Sequence, residues 1–124
     1  MTVLVDSDIL IEVTRAKDTE ILRRWSELSD SQSAVLCSPV SIAELWHGAL
    51  PPEYALLTNL FRLLTCVAID AETGRKAGEF LHLFRTSHSL ELGDALIAAS
   101  AAVNGAVLWT RNRKHYPMKS LSFF

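Results

Sequence analysis

Four short apolar runs, alternating along the chain with longer stretches whose apolar side chains stand three or four residues apart, constrain this chain more than any other feature. Thr2–Val5, Ala34–Cys37, Cys66–Ile69 and Ala106–Thr110 each contain valine and are too short for helices, so they read as buried strands. Helical spacing follows in Ile9, Leu10 and Val13, in Ile21, Leu22, Trp25 and Leu28, in Tyr54, Leu57, Phe61 and Leu64, and in Ala77, Phe80, Leu81 and Phe84. Ser38-Pro39 and Pro51-Pro52 mark helix starts, and Asn104-Gly105 stops an alanine-rich helix over Asp94–Val103. Strands separated by helices pair in parallel through crossovers. The expectation is an α/β fold with a mostly parallel sheet covered on both faces, and an added edge strand at Leu121–Phe124.

The 124 residues show no repeat or linker and read as one domain spanning residues 1–124. With 49% hydrophobic residues the chain can bury a core without disulfides or structural zinc. Cys37 and Cys66 are too few for a cysteine framework and suit a reducing compartment. No apolar run approaches the ~18 residues that span a bilayer, and Met-Thr-Val-Leu-Val-Asp has no basic lead. No membrane association is expected, and the expected location is the cytoplasm.

Net charge is only -2, but its distribution is uneven. All 14 acidic residues lie at or before Asp94, whereas Arg111, Arg113, Lys114 and Lys119 lie beyond it. Such a segment is either a solvated basic face or a cationic rim for a polyanion held at an acidic centre.

Three acids stand out of place. Asp6 ends the first strand, Glu44 is embedded in Ile42-Ala43-Glu44-Leu45-Trp46, and Asp94 opens Ala95-Leu96-Ile97-Ala98-Ala99. In α/β folds ligands bind at the carboxyl ends of strands, where these residues fall. Charge beside a core needs a partner, and no basic residues are interleaved to pair all three. A divalent cation such as Mg²⁺ or Mn²⁺ would satisfy them together. Each also has an ordinary structural role open to it. Asp6 suits a helix N-cap. Glu44 stands three residues after Ser41, a capping-box spacing, and Asp94 would favour a helix dipole. Thr110 and Asn112 offer neutral oxygens after the fourth strand. His47, His82 and His88 share no ligand spacing, which argues against a histidine zinc site.

The blocks Val3-Leu4-Val5-Asp6-Ser7-Asp8-Ile9-Leu10-Ile11, Ser41-Ile42-Ala43-Glu44-Leu45, Leu92-Gly93-Asp94-Ala95-Leu96-Ile97-Ala98-Ala99 and Thr110-Arg111-Asn112-Arg113-Lys114-His115 occur in that order. Together they resemble PIN domains, specifically the VapC-type toxin ribonucleases of prokaryotic toxin–antitoxin pairs. The resemblance implies a three-layer α/β/α sandwich, usually a homodimer, that cleaves RNA with a divalent metal. It maps the acids of that family onto Asp6, Glu44 and Asp94 as catalytic metal ligands, with Asn112 and Thr110 auxiliary. Arg111, Arg113 and Lys114 would contact the RNA backbone. A VapB-type antitoxin is the implied partner, with Trp25 and Leu28 on a helix that helps to form its groove. Asp8 stands where the family commonly has Asn or Ser, and Asn112 where it often has Asp. That pattern suits one strong Mg²⁺ site, with a second filled only beside substrate.

Other readings compete. Asp6-Ser7-Asp8 matches the Asp-x-Asp of haloacid-dehalogenase-type phosphatases, with Asp6 as nucleophile and Asp8 as acid. A receiver domain would use Asp70 as phosphoacceptor, and a degenerate PIN fold would serve only as a binding module.

Overall fold

Strands of three or four apolar residues can be stable only with both faces covered, and that requirement shapes the whole molecule. A computed structural model describes all 124 residues. In chain order come β1 (Thr2–Val5), α1 (Ser7–Arg15), α2 (Thr19–Ser29), β2 (Ala34–Cys37) and α3 (Pro39–His47). A 3₁₀ turn (Pro51–Glu53), α4 (Tyr54–Arg62), β3 (Thr65–Cys66), α5 (Ala71–His88), α6 (Leu92–Val103), β4 (Val107–Trp109) and a second 3₁₀ turn (Arg113–His115) complete the chain. The sheet order is β3-β2-β1-β4 and every pairing is parallel.

Alternation along each strand sends side chains to opposite faces. Leu4, Leu36 and Leu108 pack with Ala77 and Phe80 of α5 and Ala95, Ala98 and Ala99 of α6. Val3, Val5, Cys37 and Trp109 pack on the other face with Ile9 and Leu10, Ile21 and Leu28, Leu45, and Leu57 and Leu60. The result is the expected three-layer α/β/α sandwich. Trp109 lies 6.5 Å from Trp25 and 5.1 Å from Phe124 between ring centroids, and the Arg24 guanidinium sits over both Trp109 and Phe124. No helix is long and apolar enough to cross a membrane.

Two strand expectations are corrected. The run expected at Cys66–Ile69 pairs only over Thr65–Cys66, with one further bond from Val67 N to Cys37 O at 2.9 Å. Its partner is the limit: β2 stops where Ser38 caps α3 and Pro39 begins it. The expected edge strand at Leu121–Phe124 is a single parallel bridge from Leu108 to Phe123. Its bonds run from Leu108 N to Ser122 O and from Phe124 N to Leu108 O.

The chain leaves β1, adds β2 and then β3 to one side, and returns to place β4 on the other side of β1. The connections therefore diverge between β1 and β4, and an α/β sheet opens a crevice at the carboxyl ends beside such a switch point. Asp6 follows β1 and Thr110 follows β4, so both stand in it.

Candidate active site

Asp6 caps α1, as its place before that helix suggests, and it does more. Its Oδ1 accepts from Ser7 N at 2.8 Å. Its Oδ2 accepts from the Thr110 hydroxyl and from the Tyr116 hydroxyl, each at 2.8 Å. With the side chain buried, these bonds hold it in one rotamer.

Glu44 is not part of a capping box. The N-cap of α3 is Ser38, whose Oγ accepts from Val40 N at 3.1 Å, and Ser41 lies inside the helix. Glu44 reaches across to α1 instead: the Ser7 hydroxyl bonds to Glu44 Oε1 at 3.0 Å and to the Ser41 hydroxyl at 2.8 Å. Burial pushes the Glu44 carboxyl above its ordinary pKa, and the charges of Asp6 and Asp94 push the same way against the Ser7 bond.

Asp94 occupies the first turn of α6. Burial, and then the nearby Asp6 charge, raise its pKa as well. His115 is close by, its Nδ1 3.9 Å from Oδ2.

Asp8 joins this group. Its Oδ2 accepts from Arg111 N at 3.1 Å and the Asn112 side-chain amide at 3.2 Å, and lies 3.4 Å from the Thr110 hydroxyl. Its Oδ1 is buried with no hydrogen-bond partner. Burial and the adjacent Asp6 charge push its pKa up to about 6.

The structure thus brings Asp6, Glu44, Asp94 and Thr110 to one crevice and sends Asn112 to Asp8. Of the expected RNA contacts, Arg111 pairs with Glu12 at 3.0 Å and Arg113 bonds to Phe124 O at 3.3 Å, while Lys114 is exposed. Tyr116 was missed by sequence reasoning. It is buried, and its hydroxyl lies 3.4 Å from Asp94 Oδ1 as well as bonding Asp6. Burial, with Asp6 and Asp94 close by, holds this phenol far above its ordinary pKa, so it stays a neutral donor. A lone tyrosine in a polar loop carries no periodic signal that could have marked it.

No three acidic side chains stand close enough to grip one ion together as they are placed. Hydroxyls of Ser7, Thr110 and Tyr116 lie between them. The donor chemistry nevertheless fits a hard divalent cation. The donors are all oxygen, three carboxyls resist ionisation because burial and the neighbouring acid charges disfavour the charged form, and Asp8 Oδ1 is buried without a partner.

Residues 3–120 match the PIN domain family. The chain belongs to that family. Among curated relatives of this PIN domain, Ribonuclease VapC10 of Mycobacterium tuberculosis is 36% identical over 120 residues, which cover 94% of this chain and 86% of the relative. Ribonuclease VapC19 of the same organism is 28% identical over 116 residues, covering 93% and 92%. Among solved structures, VapBC2 from Rickettsia felis, bound to a DNA fragment from its promoter, aligns with a TM-score of 0.84 at 20% identity. That alignment covers all of this chain and 98% of the other. VapBC-1 from nontypeable Haemophilus influenzae aligns at 0.83, again at 20% identity, covering 100% and 97%. These likenesses carry the fold.

The rival readings are not favoured. Asp70 caps α5 through Thr73 N and the Thr73 hydroxyl, beyond the end of β3, so it is no phosphoacceptor at a strand tip. The Asp6 carboxylate already accepts three hydrogen bonds, which suits a fixed ligand better than a nucleophile. A purely binding PIN fold would have no need of a buried Asp6 with Asp8, Glu44 and Asp94 gathered round it and so little cationic compensation.

Proposed function

We propose that this PIN domain is the ribonuclease toxin of a toxin–antitoxin pair, hydrolysing RNA phosphodiester bonds in the cytoplasm with Mg²⁺, or Mn²⁺ in its place. The observation that carries the reading is the set of Asp6, Glu44, Asp94 and Asp8 at the switch-point crevice with almost no cationic compensation. The names of the 36% and 28% identical relatives support the substrate class.

Asp6, Glu44 and Asp94 would hold the ion, directly or through water. Asp8, braced by Asn112 and Thr110, would complete the negative surround. A divalent cation bound there supplies an activated water and neutralises charge on the phosphate and the leaving oxygen. The chain's own part is orientation. Ser7 N, Thr110 and Tyr116 fix both oxygens of Asp6, and Ser7 Oγ fixes Glu44. Because Tyr116 remains protonated, it adds no charge of its own to the crevice. Exposed Lys114 is available to the RNA backbone, whereas Arg111 would first have to leave Glu12.

The partner belongs to the same proposal: a VapB-type antitoxin, in keeping with the VapBC complexes among the structural neighbours. Trp25 and Leu28, expected at its groove, are largely taken up by packing, Trp25 on Trp109 and Leu28 in the core. The cavity beside them opens at the first residues of β2 and β3, the end of the sheet away from Asp6. A groove of about 200 Å³ between α1, α3 and α4, lined by Ile11, Thr14, Leu45, Ala49 and Leu57, leads instead to Glu44. With Arg15 and Glu53 also on its wall, it offers a path of mixed polarity to the acids for an antitoxin segment. Homodimer formation is included, supported by the exposed cluster of Trp46, Leu50 and Tyr54.

The test is RNA cleavage by the purified protein with Mg²⁺ or Mn²⁺, with molar mass measured in parallel. Cleavage should stop in excess chelator and return with metal. Full activity after exhaustive chelation would overturn the metal-dependent reading. Coexpression with the neighbouring upstream reading frame should give an inactive complex.

A further inference from the structure

Cys37 and Cys66 are distant in the chain but are register partners on β2 and β3. Parallel strands run about 4.8 Å apart, and residues paired in register carry their side chains on the same face. That separation lies inside the Cα–Cα range of roughly 4.4–6.8 Å that a disulfide can span. Both are free thiols here. Their surroundings differ sharply. Cys37 is fully buried on the face packed by α1 and α3. Cys66 is exposed on a two-residue edge strand whose sole neighbour in the sheet is β2.

We propose that Cys66 is a site of oxidation by peroxides and that Cys37 is its resolving thiol, the two closing to a disulfide between β2 and β3. Exposure assigns the first step. The Cys66 thiolate attacks the O–O bond of a hydroperoxide, the alkoxide or hydroxide leaves and takes up a proton, and Cys66 becomes a sulfenic acid. In the second step the Cys37 sulfur attacks the Cys66 sulfur. The S–O bond breaks, the departing hydroxide takes the Cys37 proton, and water leaves. Two electrons pass from the thiol pair to the peroxide, and two thiols plus one hydroperoxide become one disulfide, one alcohol or water, and one further water. Burial, and then the neighbouring Cys66, push the Cys37 thiol up to about 12. Cys37 is therefore a poor nucleophile for anything in bulk solvent, and it reacts only with the sulfur held beside it. A short edge strand, paired on one side, can make the small shift that bond formation requires. The bond would tie β3 to the residue just before Ser38, the cap of the helix that carries Glu44.

The inference does not depend on the ribonuclease reading, and its test is the intact mass of the wild-type protein after treatment with stoichiometric hydrogen peroxide. A monomer lighter by two hydrogens is expected, with neither cysteine open to alkylation after unfolding, a raised thermal midpoint, and full reversal by dithiothreitol. Cys66→Ser should leave Cys37 unmodified in the folded protein, and Cys37→Ser should leave Cys66 carrying oxygen or joined to a second chain. Wild-type protein in which Cys66 gains oxygen while Cys37 stays alkylatable, or in which disulfides form only between chains, would overturn the proposal.

Discussion

The hydroxyl of Tyr116 donates to Oδ2 of Asp6 at 2.8 Å, joining residues at the two ends of the chain inside the acidic crevice. The Tyr116 hydroxyl oxygen also stands 3.4 Å from Asp94 Oδ1, so one neutral group separates two carboxylates that would otherwise repel. Asp6 therefore depends on the loop after β4, through both Thr110 and Tyr116, for its orientation.

Tyr116→Phe removes that hydroxyl and keeps the ring. A hydrogen bond to a charged group contributes about 1.5–3 kcal/mol, so metal-free stability should fall by an amount of that order in a denaturant titration. RNA cleavage should fall by roughly tenfold or more, equivalent to about 1.4 kcal/mol. Unchanged stability and unchanged cleavage together would show that Asp6 needs no support from Tyr116.

Glu44→Gln separates charge from structure. Since Ser38 caps α3, the helix start is untouched, and glutamine can still accept from Ser7. Loss of a charge repelled by Asp6 and Asp94 should leave the metal-free protein at least as stable as wild type. Mg²⁺ should raise the thermal midpoint of wild type and that of the variant much less. Cleavage should drop by about a hundredfold, or ~2.7 kcal/mol. A destabilised variant with normal cleavage would make Glu44 a structural residue.

Stability should depend on pH with an unusual sign. Asp8 titrates near 6 in the folded chain against 3.8 for an unperturbed aspartate. Between those values the folded state binds more protons than the unfolded one, so metal-free stability falls as pH rises from about 4 through about 6. Glu44 and Asp94, raised in the same direction, add to the trend. Exposed Asp70, lowered by its Thr73 bonds, opposes it weakly. Urea midpoints measured in chelator should be higher at pH 5 than at pH 7.5, and Asp8→Asn should flatten the difference. A midpoint that rises steadily from pH 5 to pH 7.5 would contradict the assignment.

Packing of α6 gives a further check. Ala98 has no exposed surface and lies among Leu4, Leu108 and Phe80. Ala98→Leu forces three extra carbons into filled space and should destabilise by about 1–3 kcal/mol in urea unfolding. An equally stable variant would mean that the α6 layer is looser than the structure shows.

Sequence alone determined the fold class and three of the acids. Valine-containing runs and helical stripes are local patterns, repeated every two or three to four residues, and they are readable without knowing what lies across the molecule. Asp6, Glu44 and Asp94 were conspicuous because a charge beside a core is anomalous in any fold. Tertiary structure decided the rest. Glu44 stands at capping-box distance from Ser41, yet its bond goes to Ser7 on another helix. Asn112 serves Asp8, Tyr116 serves Asp6, and Cys37 meets Cys66 across two strands. The run at Cys66–Ile69 stayed short because β2 had already turned into α3. All of these follow from which strands become neighbours. Strand order is set by crossovers that pack whole helices against the sheet, and no local spacing records which distant residue will fill the space beside a given side chain.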